Sequence, residues 1–150
     1  MLAGFTTSDI RRGGRRTGFT ITGIGGLERT LAVRDGPGPR VGSYGVDVAA
    51  FEEVALLELQ NGLELGYTLV IDEIGKMELL SEAFRSLLPD VFEAPRLIAT
   101  IHAHKHPLTD ELKDRPDVRV VRVERGRRDE QAGELADLLL DAAPATAETG

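Results

Sequence analysis

The sequence predicts an α/β protein: a mostly parallel sheet flanked by helices, with an antiparallel β-hairpin near the N-terminus. Three observations carry that expectation. Beyond residue 47 the chain alternates helix-like and strand-like segments, the pattern of parallel strands joined by helical crossovers. Tyr67-Thr68-Leu69-Val70-Ile71 is a short apolar run, typical of a strand buried on both faces, and it stops abruptly at Asp72-Glu73. Gly18–Thr22 and Thr30–Val33 both have period-2 character and are joined through Gly25-Gly26, which reads as a hairpin.

Taken in order, Leu2–Thr7 reads as a strand and Asp9–Gly14 as a turn hinged at Gly13-Gly14. After the hairpin, Gly36-Pro37-Gly38-Pro39 is a loop by composition, and Val41–Val48 is a further strand. Asp47 precedes a helical pattern that should stop near Gly62. Ser81 caps a helix reaching about Glu93, kinked or restarted at Pro89. Arg96–Ile101 is a second buried strand, Leu108–Asp114 a short helix and Val118–Val123 a third strand. Asp129–Ala142 closes the domain as an amphipathic helix, so residues 1–142 form one domain and 143–150 a disordered tail.

Composition narrows the function. The chain has no Cys, which excludes disulfides, thiolate metal sites and cysteine nucleophiles. With five Phe, two Tyr and no Trp, its core must be largely aliphatic. No apolar run approaches the roughly 18 residues that span a membrane, and no secretory h-region opens the chain. The expected location is the cytoplasm. A net charge of −7 argues against a general nucleic-acid binder. Arg11, Arg12, Arg15 and Arg16 nevertheless form a local basic cluster, better suited to a small anionic ligand than to a long polyanion.

The chemistry concentrates at Leu69-Val70-Ile71-Asp72-Glu73-Ile74-Gly75-Lys76-Met77-Glu78-Leu79. An apolar strand brings two adjacent carboxylates to its C-terminal end, where open α/β sheets bind ligands. A first carboxylate there suits Mg²⁺, which prefers one or two carboxylates plus substrate phosphates. Its neighbour points elsewhere and can orient or deprotonate a water. Asp72 is therefore assigned to the metal and Glu73 to the base. The blander reading is that acids after a strand only solvate a turn. Gly75, which permits a tight turn, and Glu78, a third acid close by, weigh against it.

The run at 70–79 resembles the Walker B signature of the small nucleoside-triphosphatase family. Gly4-Phe5, Thr7 and Ile10-Arg11 with Gly14-Arg15-Arg16-Thr17-Gly18-Phe19 are similar to a second signature, and Val41–Asp47 with Phe51-Glu52 to a third. The resemblance covers most of residues 4–130. It implies a RecA-like P-loop fold and Mg²⁺-dependent hydrolysis of ATP, GTP and other nucleoside triphosphates to diphosphate and phosphate. It implies nucleotide contacts from Leu69 to Lys76, with Asp72 and Glu73 as the metal and catalytic acids. Arg15 and Arg16 fall in the matching arginine motif, where guanidinium forks can meet phosphate; a solvated turn is the competing reading. A monomer with no nucleic-acid or membrane partner is expected.

Two departures from the family pattern stand out. The family's G-x-x-G-x-G-K-T-T phosphate loop precedes its Gly-Phe motif, whereas this chain starts at Met1-Leu2-Ala3 directly before Gly4-Phe5. Lys76 is no substitute, having no glycine-rich anion nest around it. The first strand, phosphate loop and first helix are thus absent, and the expectation is a natural protein that begins further upstream. The alternative is a truncated, non-hydrolysing homologue serving as a binding or regulatory module. Near the end, Arg127-Arg128 replaces the family's Asn-Arg, keeping Arg128 for the nucleotide. Finally, His102, His104 and His106 would share one side of an extended segment, as a Zn²⁺ or Ni²⁺ site requires. A polar loop is the preferred reading, and Thr100 with His102 could instead sense the γ-phosphate.

Overall fold

The computed structural model describes residues 1–123, 125–127 and 129–134. Two compact units divide the chain, Met1–Leu112 and Lys113–Gly150.

The first unit holds a seven-stranded sheet. In chain order its strands are β1 (Leu2–Arg12), β2 (Arg15–Gly23), β3 (Glu28–Arg34), β4 (Arg40–Val41), β5 (Tyr44–Val46), β6 (Thr68–Ile74) and β7 (Leu97–Ile101). They lie side by side as β4-β5-β3-β2-β1-β6-β7. β1, β6 and β7 run parallel, and the expected hairpin β2/β3 belongs to an antiparallel extension from β1 through β5 to β4. The helices are α1 (Val48–Leu65), α2 (Glu82–Phe92) and α3 (Pro107–Lys113), with a 3-10 turn at Glu78–Leu80.

α1 crosses β1, β2, β3 and β6, and α2 packs on α1. Phe51, Val54, Ala55 and Leu59 of α1 are fully buried, as their helical spacing requires. Phe5, Phe51 and Phe84 meet edge to face, with ring centroids 5.1–6.0 Å apart. These three phenylalanines gather where β1, α1 and α2 join. Asp47 caps α1 by accepting the Ala50 N–H at 3.0 Å. Ser81, fully buried, caps α2 through Phe84 N–H and donates its own hydroxyl to Glu52 at 2.7 Å, tying α2 to α1.

Several boundaries differ from expectation, each for a packing reason. β1 runs on to Arg12 instead of turning at Asp9, because β2 pairs with it out to Arg12↔Arg15. Val41–Val48 is not one strand: Gly42, with φ +57°, turns Arg40–Val41 back onto Tyr44–Val46. α1 continues through Gly62 to an αL cap at Gly66. Gly62 is there for close approach, since a Cβ would stand 2.6 Å from Leu69 and 2.7 Å from Ala3. β6 is fully buried on one face only: Leu69 and Ile71 enter the core, while Val70 is half-buried.

In the second unit, residues 118–123 form no strand, and the expected third strand is not present. Alternating Val and Arg residues carry β propensity, but a strand exists only where an edge accepts its ladder. Arg125–Arg127 is a 3-10 turn and residues 129–134 are helical, held by Gln131 donating to the Arg122 carbonyl. The rest of the expected final helix, the 143–150 tail and Arg128 lie outside the described residues.

Candidate active site

Asp72 and Glu73 stand near the C-terminal end of β6, between β1 and β7. The β6/β7 ladder runs regularly to Ile71↔Ala99 and resumes at Ile74↔Ile101. Three steps on β6 thus match two on β7, and the bulge falls on the two acids. Bulges re-aim side chains in this way next to active sites. The Asp72–Glu73 peptide is cis. On the other side, Thr6 of β1 lies opposite Asp72.

Asp72 is half-buried and Glu73 exposed. Thr100 Oγ1 donates to Asp72 Oδ1 at 2.7 Å, which restrains the rotation of the carboxylate and leaves Oδ2 outside that bond. The expected role of Thr100, sensing a phosphate, therefore has a companion in the structure: it holds the acid on the neighbouring strand. Spacing could not reveal that bond, because it depends on the β6/β7 register.

Leu69, Ile71 and Ile74 are core residues, and what they bring to the site is the placement of the acids between them. Gly75 is buried and Lys76 exposed in the turn after β6. A Cβ on Gly75 would stand 2.6 Å from Glu73 Oε1, so glycine here lets the Glu73 side chain fold over the turn.

Glu78 is only 5% exposed. Burial pushes its carboxyl up to about 7 from an ordinary 4.5; Glu73 and Asp72 push the same way, and backbone N–H donors of Glu78 and Gly75 oppose them. Between those two values the folded protein keeps a proton that the unfolded chain has released. The contribution is therefore intact below pH 4.5 and lost as pH rises through 7. Glu78→Gln should remove this pH dependence, raising stability at pH 8 relative to pH 4.5 by up to about 3 kcal/mol compared with the parent. Urea unfolding at the two pH values checks it.

The arginine cluster lies further out. β1 passes Asp72 at Thr6 and continues to Arg12, about 20 Å beyond at about 3.3 Å per residue. Arg15 and Arg16 face Arg12 and Arg11 across the tip, and all four are exposed. Asp9 bridges Arg11 and Arg16 at 3.2 Å each. Arg16 lies over Phe19, and Arg34 over Tyr44, with the two rings 5.0 Å apart. Sequence reasoning found the guanidiniums but not Asp9, Phe19, Arg34 and Tyr44, which join them only through strand pairing. The structure does not bring Arg15 and Arg16 against the acid pair.

His102 Nε2 lies 3.1 Å from Thr109 Oγ1, and His106 Nδ1 accepts the Leu108 N–H, so both rings fasten the start of α3. Among the described residues no group of three or more His, Asp or Glu is arranged to hold a metal ion. That donor set still fits Mg²⁺, which needs one well-oriented carboxylate when phosphate and water supply the rest. Asp72, held by Thr100, is such a carboxylate.

A family model described as NTPase matches residues 1–136. The chain is 36% identical over 138 residues to the nucleoside-triphosphatase THEP1 of Thermotoga maritima, covering 91% of this chain and 79% of that protein. It is 37% identical over 140 residues to the human cancer-related nucleoside-triphosphatase, covering 83% and 74%. Among solved structures, THEP1 from Aquifex aeolicus superposes with a TM-score of 0.83 at 33% identity, over 92% of this chain and 83% of that one. The solution structure of the human cancer-related protein does so at 0.79 and 30%, over 95% and 84%.

Proposed function

This chain belongs to the nucleoside-triphosphatase family, and on that premise we propose that it hydrolyses nucleoside triphosphates at the bulged end of β6. The observation that carries the reading is the Asp72–Glu73 pair, set by β6 of a P-loop NTPase fold, with Asp72 braced by Thr100.

Asp72 is the residue that would hold Mg²⁺. When bound with the substrate, Mg²⁺ supplies charge neutralisation for the phosphate oxygens. Thr100 keeps Asp72 in one orientation, so the carboxylate does not have to be ordered during turnover. Glu73, exposed beside it, takes a proton from the attacking water. The water oxygen bonds to the γ-phosphorus, the bond to the β-phosphate bridging oxygen breaks, and diphosphate and phosphate leave. A broad nucleotide range suits this arrangement, because both acids address phosphate and water and neither reads a base. The reading also takes the protein as a cytoplasmic monomer; its net charge of −7 speaks against nucleic-acid partners.

Phosphate release from ATP and GTP tests the proposal, measured on this chain and on a form extended upstream in its reading frame. Release in either form that stops with EDTA, returns with Mg²⁺ and falls about 100-fold in Asp72→Asn is the expected result. Inactivity of both forms, or activity indifferent to EDTA and to Asp72→Asn, would sink it.

A further inference from the structure

Arg11, Arg12, Arg15 and Arg16 meet where β1 turns into β2, and the reaction above uses none of them. Gly13 and Gly14, at φ +58° and +78°, make the two-residue turn that fixes a hairpin's register. That register sets Arg11 opposite Arg16 and Arg12 opposite Arg15, two successive rungs of like charge. Like charges directly across a ladder destabilise it. Among the described residues, Asp9 is the acid that answers them. Its Oδ2 takes Arg11 Nη2 and Arg16 Nε at 3.2 Å each, which draws two guanidiniums to a single oxygen. Arg12 and Arg15 make no ion pair among the described residues.

Packing also orders the Arg16 guanidinium. It lies over Phe19, 5.3 Å from the ring centroid, and Phe19 meets Tyr44 at 5.0 Å. Arg34 lies over Tyr44 and donates to its hydroxyl at 3.1 Å and to the Arg16 carbonyl at 3.3 Å. Arg16 engages Asp9 through Nε, which leaves its two Nη groups for a further acceptor. A guanidinium already ordered in this way loses little freedom on meeting a ligand.

We propose that the tip of the β1/β2 hairpin binds a phosphate group at a site separate from the acid pair, with Arg11 and Arg16 as the fork that receives it and Arg12 and Arg15 as flanking charge. A phosphate dianion fits better than a carboxylate, because two Arg–Arg rungs share one acid and need more than one further negative charge. A nucleic-acid strand fits worse. Beyond the tip it would meet a chain of net charge −7, and the rings beside the tip already carry guanidiniums instead of standing open to bases. β1 carries the tip about 20 Å past Asp72, so one phosphate group cannot touch both places. The group can arrive as free phosphate or on a nucleotide, and the test separates the two.

NMR titration of the ¹⁵N-labelled full chain in EDTA, with inorganic phosphate and separately with ADP, tests the site without metal or turnover. Amide resonances of residues 11–16 and of Phe19 should shift saturably with phosphate, while those of residues 72–76 stay in place. Arg16→Lys keeps the charge but loses the fork, and should weaken binding about 10-fold. Arg12→Gln combined with Arg15→Gln should weaken it by a similar factor. These arginines are exposed, so the variants should fold as the parent does. ADP that binds the tip more tightly than phosphate identifies a nucleotide as the ligand; ADP that binds no tighter identifies free phosphate. The proposal is overturned if the tip shows no saturable shift. It is equally overturned if Arg16→Lys or the double variant binds as the parent does, which would reduce the cluster to diffuse charge. A single-stranded oligonucleotide that displaces phosphate, with a steep dependence on salt, would overturn it in favour of a nucleic-acid surface.

Discussion

Glu73→Gln should lower kcat for ATP and GTP by about 10²- to 10⁴-fold while leaving nucleotide affinity close to parental. The amide matches the carboxylate in size but cannot accept a proton from water at neutral pH. Glu73 is exposed and supports no core contact, so the variant should fold and unfold as the parent does. Phosphate-release kinetics with a parallel binding titration separate the outcomes. A loss of affinity at unchanged kcat would make Glu73 a binding residue, and a parental kcat would remove it from the chemistry.

Gly4→Ala should have the largest effect on stability, about 4 kcal/mol or more, enough to unfold a marginal domain. Gly4 has φ +131° and pairs with Val70 in the β1/β6 ladder. A Cβ there would stand 1.8 Å from the Val70 carbonyl oxygen, a backbone atom that no rotamer change can move. The same residue donates its N–H to Glu58 at 3.2 Å, and Glu58 also accepts from Gly25 at 2.8 Å. Relief of the clash would therefore pull β1 away from β6, from α1 and from the β2/β3 loop together. Chemical denaturation of the purified variant reads the effect; a midpoint within 1 M urea of the parent's, roughly 1–3 kcal/mol for a small protein, would be too small for this account.

Much of the fold was legible in the sequence because burial imposes it locally. Leu69 and Ile71 had to be strand residues in the core, and the acids after them had to mark where the chain leaves it. Asp47 and Ser81 were readable as helix starts because a capping side chain acts on its own next turn. Gly62 misled for the opposite reason. Glycine ends helices when it must take positive φ, but here it stays helical and lets Leu69 and Ala3 approach.

The sequence by itself determined the parallel α/β core, the position of Asp72 and Glu73 at a strand end, and, through its motifs, the family. These follow from periodicity and from residues a few positions apart, where geometry is set by the chain itself. Only the tertiary structure decided the length of β1, the brace from Thr100 to Asp72, the distance of Arg15 and Arg16 from the acids, and the lie of the Glu73 side chain over Gly75. It also decided against a strand at residues 118–123. Each of these depends on register or on packing between neighbours distant in sequence or folded around one turn. Polar residues such as Thr100, Arg11 and Glu78 carry no periodic signal that says which partner the fold will bring to them.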